Sequence, residues 1–224
     1  MGDLTQRQAA KVAGFGLLFM FISGIFASSI DATSMYEKYR ASSGMLRMNI
    51  VGDIMMLVFD VVAALGLYVF LKPVNKSLSM LAAWFRLIHV AIYGVVGLNL
   101  LMVLYLLSGA ESLSGFSQAQ LQSQTMLFLT GHEYGFKIGL VFFGFHFLVL
   151  GYLVIKSTFI PKVLGILLLV VSVGYLFNSL AGFLMPAFDD YKSIIQTVAF
   201  IPAIIAELSL CLWLLIRGGR IPKA

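Results

Sequence analysis

Five ionisable side chains lie near the middle of long apolar runs, where each is costly unless it finds a partner. They are Asp60, Arg86, His89, His146 and Glu207. Carboxylates and imidazoles exchange protons and bind cations, while arginine stays protonated and grips carboxylates. Their spacing suggests a common depth. Asp60 falls 12 residues before Lys72, and Arg86 and His89 fall 10 and 13 after Lys76. His146 lies 10 before Lys156, and Glu207 lies 10 before Arg217. Ten to thirteen helical residues at a rise of about 1.5 Å span roughly 15–20 Å, near the middle of a hydrocarbon core about 30 Å thick. Ser172, 10 after Lys162, reaches the same level. An unpaired charge there costs at least about 2.5–3.5 kcal/mol. Arg86 is therefore expected to pair with Asp60, Glu207 or both.

A second polar layer lies nearer the other face. Asp53 is 19 residues from Lys72, and Lys137 is 19 from Lys156, so equal depth and opposite sign suggest a pair. Helical angle works against it: Lys137 points about 140° away from His132. Glu133, four residues before Lys137, is the competing partner. Polar stripes recur on other runs: Arg86, His89, Tyr93 and Gly97; His132, Gly135, Gly139, Phe143 and His146; Gln196, Ala203 and Glu207; and Tyr175 with Asn178. Their convergence predicts an outward-opening cavity between the second, third, fourth and sixth runs, with His132 and Glu133 at its mouth.

The elements that must position these residues are six apolar runs near 12–30, 48–71, 79–107, 125–155, 162–185 and 195–216. Each is long enough for a spanning helix of about 20 residues. Of 224 residues, 60% are hydrophobic and 11% charged, against about 25% charged in soluble domains. The reading is an all-α, six-transmembrane-helix bundle, a single polytopic domain over 1–224 whose first partner is the lipid bilayer. Pro73, Pro161 and Pro186 punctuate the runs, and Pro202 predicts a kink inside the last. The connection Gly109–Gln124 is polar, and Gly131, Gly135 and Gly139 form a small-residue stripe suited to close helix packing.

The net charge of +5 does not indicate nucleic acid, because its placement is asymmetric. Arg7, Lys11, Lys72, Lys76, Lys156, Lys162, Arg217, Arg220 and Lys223 occupy the termini and alternate connections. Lys38, Arg40, Arg47 and Lys192 on the other side are diluted by Asp31, Glu37, Glu111, Asp189 and Asp190. This positive-inside pattern puts both termini in the cytoplasm. The first run is longer than the 7–15 residues of a signal-peptide core and is taken as a retained helix. A single cysteine, Cys211, allows no internal disulfide.

Three functional classes fit the buried cluster. It can fix helix register, which calls for closed packing. It can handle protons, ions or a small molecule, with Asp60 or Glu207 as the acceptor, His146 and His89 as relays and Arg86 as counter-charge. It can serve an enzyme, with His89, His146, Asp60 and Glu207 as metal-ligand candidates, or with the two histidines as axial haem ligands. No HExxH, CxxC, GxSxG, Walker A or GxGxxG motif occurs, so no cofactor is named by the residues. The preferred reading is binding or movement of a small molecule, ion or proton at mid-membrane.

Three segments carry a family resemblance: LVFDVVAALGLYVFLKPVNKSLSMLAAWFRL at 57–87, GHEYGFKIGLVFFGFHFLVLGYLVIKSTFIPKVLGILL at 131–168, and AELSLCLWLLIRG at 206–218. The chain resembles the prokaryotic integral membrane proteins grouped as domain of unknown function 4386, over about residues 8–218. The resemblance implies a six-helix cytoplasmic-membrane protein of bacteria or archaea. It matches Asp60, Arg86, His132, His146 and Glu207 to characteristic polar positions, and implies other polar residues at position 89. It carries no activity.

Overall fold

The computed structural model describes residues 4–24 and 32–218. These residues are helical, with no strand among them. The helices are α1 (Gln6–Gly24), α2 (Ala32–Ala41), α3 (Ser43–Leu71), α4 (Lys76–Val96), α5 (Leu98–Leu106), α6 (Gln118–Lys156), α7 (Lys162–Leu184) and α8 (Phe188–Ile216). Five segments are long and apolar enough to cross a membrane: α3, the span Lys76–Leu106 made by α4 and α5, α6, α7 and α8. That is the signature of a multi-pass membrane protein. The expected first crossing runs from α1 into 25–30, outside the described residues, as do Asp31, Arg220 and Lys223.

Helix ends follow local chemistry. Lys72 ends α3, and Asn75 starts α4 by accepting the Leu78 N–H at 2.9 Å, so residues 72–75 make a tight hairpin turn. Ser117 and Gln120 form a capping box that starts α6. The helix consequently begins at Gln118, and 118–124 is not the loop that its polarity suggests. Asp189 and Asp190 lie in the first turn of α8, where carboxylates favour the amino end of a helix. Helix α8 therefore starts earlier than expected and continues through Pro202.

Two other departures matter more. The connection after 31 contains α2, whose Met35, Tyr36 and Tyr39 are buried in a cluster with Leu46, Leu100, Val103 and Leu129. The third apolar run breaks at Gly97, where Leu100 N–H donates to the Gly97 carbonyl three residues back. The Val96 carbonyl at that break takes the Asn99 side-chain amide at 2.9 Å and faces Nδ1 of His132 at 3.4 Å.

Six helices close a ring in the order α1, α3, α4, α6, α7, α8, with α8 packing back on α1. Small residues allow a close seam between α1 and α3. A Cβ on Gly66 would lie 2.4 Å from the Ala13 nitrogen, and one on Gly16 would lie 2.7 Å from the Ala63 nitrogen. Helices α1 and α3 therefore touch backbone to backbone. The stripe on α6 works differently: Gly135 faces the Val96 side chain and Gly139 the His89 ring, so both make room for side chains of α4. Outward faces remain apolar, as at Val51, Val58 and Leu65 on α3 and Val163, Val170 and Val173 on α7. Such faces suit lipid contact.

Candidate functional site

Arg86 of α4 is fully buried inside the ring. Its Nε donates to Oδ1 of Asp60 on α3 at 2.8 Å, and Nη2 donates to the same oxygen. Nη2 also meets the Met20 sulfur on α1 at 3.3 Å. Nη1 lies 3.1 Å from Nε2 of His146 on α6. Guanidinium has no acceptor, so Nε2 receives this hydrogen bond and the proton of His146 sits on Nδ1. That nitrogen donates to the Ala82 carbonyl at 2.8 Å. One guanidinium thus ties together α1, α3, α4 and α6. The Phe143 ring closes the arrangement, 5.1 Å from the guanidinium carbon and stacked on both His146 and His89.

Glu207 is not part of this knot. It is buried on α8, and its Oε2 has no hydrogen-bond partner among the described residues. Of the two expected partners, Arg86 takes only Asp60. Both contacts fall on Oδ1 of Asp60.

Beside the knot lies a chamber of about 400 Å³ at the centre of the ring. Each of the six ring helices contributes to its wall: Met20 from α1, Met56 and Asp60 from α3, His89 and Tyr93 from α4, His132, Phe136 and Phe143 from α6, Tyr175 from α7, Phe200 and Glu207 from α8. The volume falls in the range of small-molecule sites, as does the pattern of mostly apolar walls with few polar groups. Nδ1 of His89 is also unpartnered among the described residues. Arg86 and His146 stand behind the wall rather than in it.

The second polar layer separates into distinct places. Lys137 pairs with Glu133 at 3.1 Å, not with Asp53, as the helical angle requires. Lys192 on α8 reaches the same Glu133 oxygen at 2.7 Å, and the other oxygen accepts the Ala32 N–H at the start of α2 at 3.3 Å. Glu133 is therefore a tether for α2, α6 and α8 and does not guard the chamber; Lys192 belongs to a helix, not a loop. Asp53 accepts from the Tyr93 hydroxyl at 3.1 Å and lines a smaller groove between α3 and α4–α5, which shares Leu57 and Tyr93 with the chamber. Asn178 is buried on α7 outside the chamber wall.

The metal-ligand candidates are not brought together. Among the described residues, no three His, Cys, Asp or Glu side chains converge at ligand distances. Both ring nitrogens of His146 are engaged, so this histidine has no free lone pair to offer a metal ion or a haem. Expected positions omitted α1 and α7 from the wall. Met20 carried no polar signal; Tyr175 did, through its spacing with Asn178.

The family model for the domain of unknown function 4386 matches residues 12–218, nearly the whole chain. The chain belongs to this family. An uncharacterized protein of Archaeoglobus fulgidus is 30% identical over 175 residues, covering 78% of this chain and 86% of that protein. No solved structure matches. Membership in the 4386 family thus agrees with a multi-pass architecture and leaves the chemistry to be argued from the chamber.

Proposed function

We propose that this is a small-molecule-binding protein of the cytoplasmic membrane, with both termini in the cytoplasm, whose ligand occupies the central chamber at mid-membrane. In this reading α1 completes a sixth crossing, and the chain is one polytopic domain. The observation that carries it is the chamber itself. A cluster serving only to fix helix register has no use for about 400 Å³ of space bordered by Asp60, His89 and Glu207. The basic residues flanking α3, α4, α6 and α7 at Lys72, Lys76, Lys156 and Lys162 support the assigned sidedness.

The roles follow from position. Arg86, Asp60 and His146 set the frame, and His89, Glu207, Tyr93 and His132 present polar groups to the ligand. The test is to fill the chamber. Wild-type protein purified in mild detergent should release a small molecule on denaturation, read by mass spectrometry. Leu140→Trp and Met56→Trp, each placing an indole in the chamber, should retain a folded melting transition and lose that molecule. Equal release from wild type and both folded variants, or none from wild type, would overturn the reading.

A further inference from the structure

We propose that the occupant is a lipophilic monocation: an apolar, preferably aromatic body bearing one ammonium group, whose N–H donors are received by Glu207. This rests on the chamber being a ligand site and adds the chemical class of ligand.

Charge and hydrogen-bond placement lead there. The hydrogen bonds of Arg86 go to Asp60, Met20 and His146, and none goes to Glu207. Lys137, the next buried cation, is held by Glu133 and packs over Tyr134 and Phe188. Glu207 is 5% exposed, lines the chamber and has an oxygen with no donor among the described residues. Leaving a buried acceptor unmatched costs about 1–3 kcal/mol, and more when it is charged. Asp60, whose two contacts with Arg86 both fall on Oδ1, lines the same chamber. Two acidic residues line the space, and the one guanidinium near them is committed to the first.

The remaining wall selects what carries the cation. It is formed largely by aromatic and aliphatic side chains, including Phe143, Tyr175 and Phe200. Aromatic faces attract organic cations, and Phe143 already faces the Arg86 guanidinium in this way. A small inorganic cation would surrender its water to a mostly apolar surface. An anion would meet two carboxyl groups. A neutral apolar molecule would fill the space and leave Glu207 unmatched. An amine on an apolar body satisfies both parts of the wall.

The test compares 4-phenylbutylamine with neutral 4-phenylbutanol, using the full chain in lipid nanodiscs and subtracting binding to empty discs. A charge-assisted hydrogen bond should make the amine at least about tenfold tighter than the alcohol. Glu207→Gln should erase that preference while leaving weak binding of both compounds. Equal affinities in wild type, or a preference that survives in Glu207→Gln, would overturn the cationic class and leave the chamber site standing. Saturable binding of neither compound would count against both. A second readout needs no variant: modification of Glu207 by dicyclohexylcarbodiimide, mapped by peptide mass, should be slowed by the amine and not by the alcohol. Equal rates with both compounds would overturn the assignment.

Discussion

Asp60 and Glu207 approach one chamber from the two helices that flank α1, and their surroundings differ sharply. Asp60 receives two donors from Arg86, which is itself braced by His146. Glu207, equally buried, has an oxygen with no donor among the described residues. Burial alone therefore does not assign a role to an acidic residue in a membrane bundle. The carboxylate whose partner comes from a neighbouring helix holds helices together; the one with an oxygen unmatched among the described residues is the one our proposal gives to a ligand. A third acid, Glu133, reinforces the point, since both its oxygens are engaged and it lies outside the chamber.

The contrast can be broken most directly at Asp60. Asp60→Ala leaves Arg86 buried without its counter-ion and should cost about 3–5 kcal/mol, read from unfolding of the purified protein in detergent. The double variant Asp60→Leu, Arg86→Met should recover most of that loss; failure to recover would mean the pair does more than neutralise itself. His146→Phe keeps a ring in place but removes the acceptor for Nη1, and should cost about 1.5–3 kcal/mol. Glu207→Gln should behave in the opposite sense. Removing a carboxyl with no donor should leave stability within about 1 kcal/mol of wild type, shifted upward. A loss as large as that of Asp60→Ala would place Glu207 in the structural frame. Lys192→Ala should have the smallest effect, at most about 1 kcal/mol, because Lys137 still holds Glu133 and the Lys192 side chain is 17% exposed.

Counting residues from the basic ends of each run was enough to bring Asp60, Arg86 and His146 to one level, and these three do meet. It did not distinguish Asp60 from Glu207 as the partner of Arg86. That choice depends on where each helix sits around the ring, and depth carries no such information. Azimuth was readable within one helix: Glu133 and Lys137 are four residues apart and pair, while the equal-depth match of Asp53 to Lys137 fails. Helix α2 was hidden by its polar composition, although Ala32, Met35, Tyr36 and Tyr39 follow helical spacing. The start of α6 was likewise available in the Ser117–Gln120 capping pair, which a hydropathy reading passes over. The break at Gly97 was not legible, because glycine is tolerated inside apolar helices and the groups that answer the Val96 carbonyl come partly from α6.

The ring also bears on how the molecule is put together. Its circular order repeats the order of synthesis, so each new hairpin can dock on the one before it, and such local docking is fast. The two joints made by α8, one with α7 and one with α1 where Gly14 receives Leu215, must wait for that helix. Until α8 docks the ring is open on one side, and a nascent chain interrupted before α8 would carry the Arg86 knot complete but lack the wall that Phe200 and Glu207 supply.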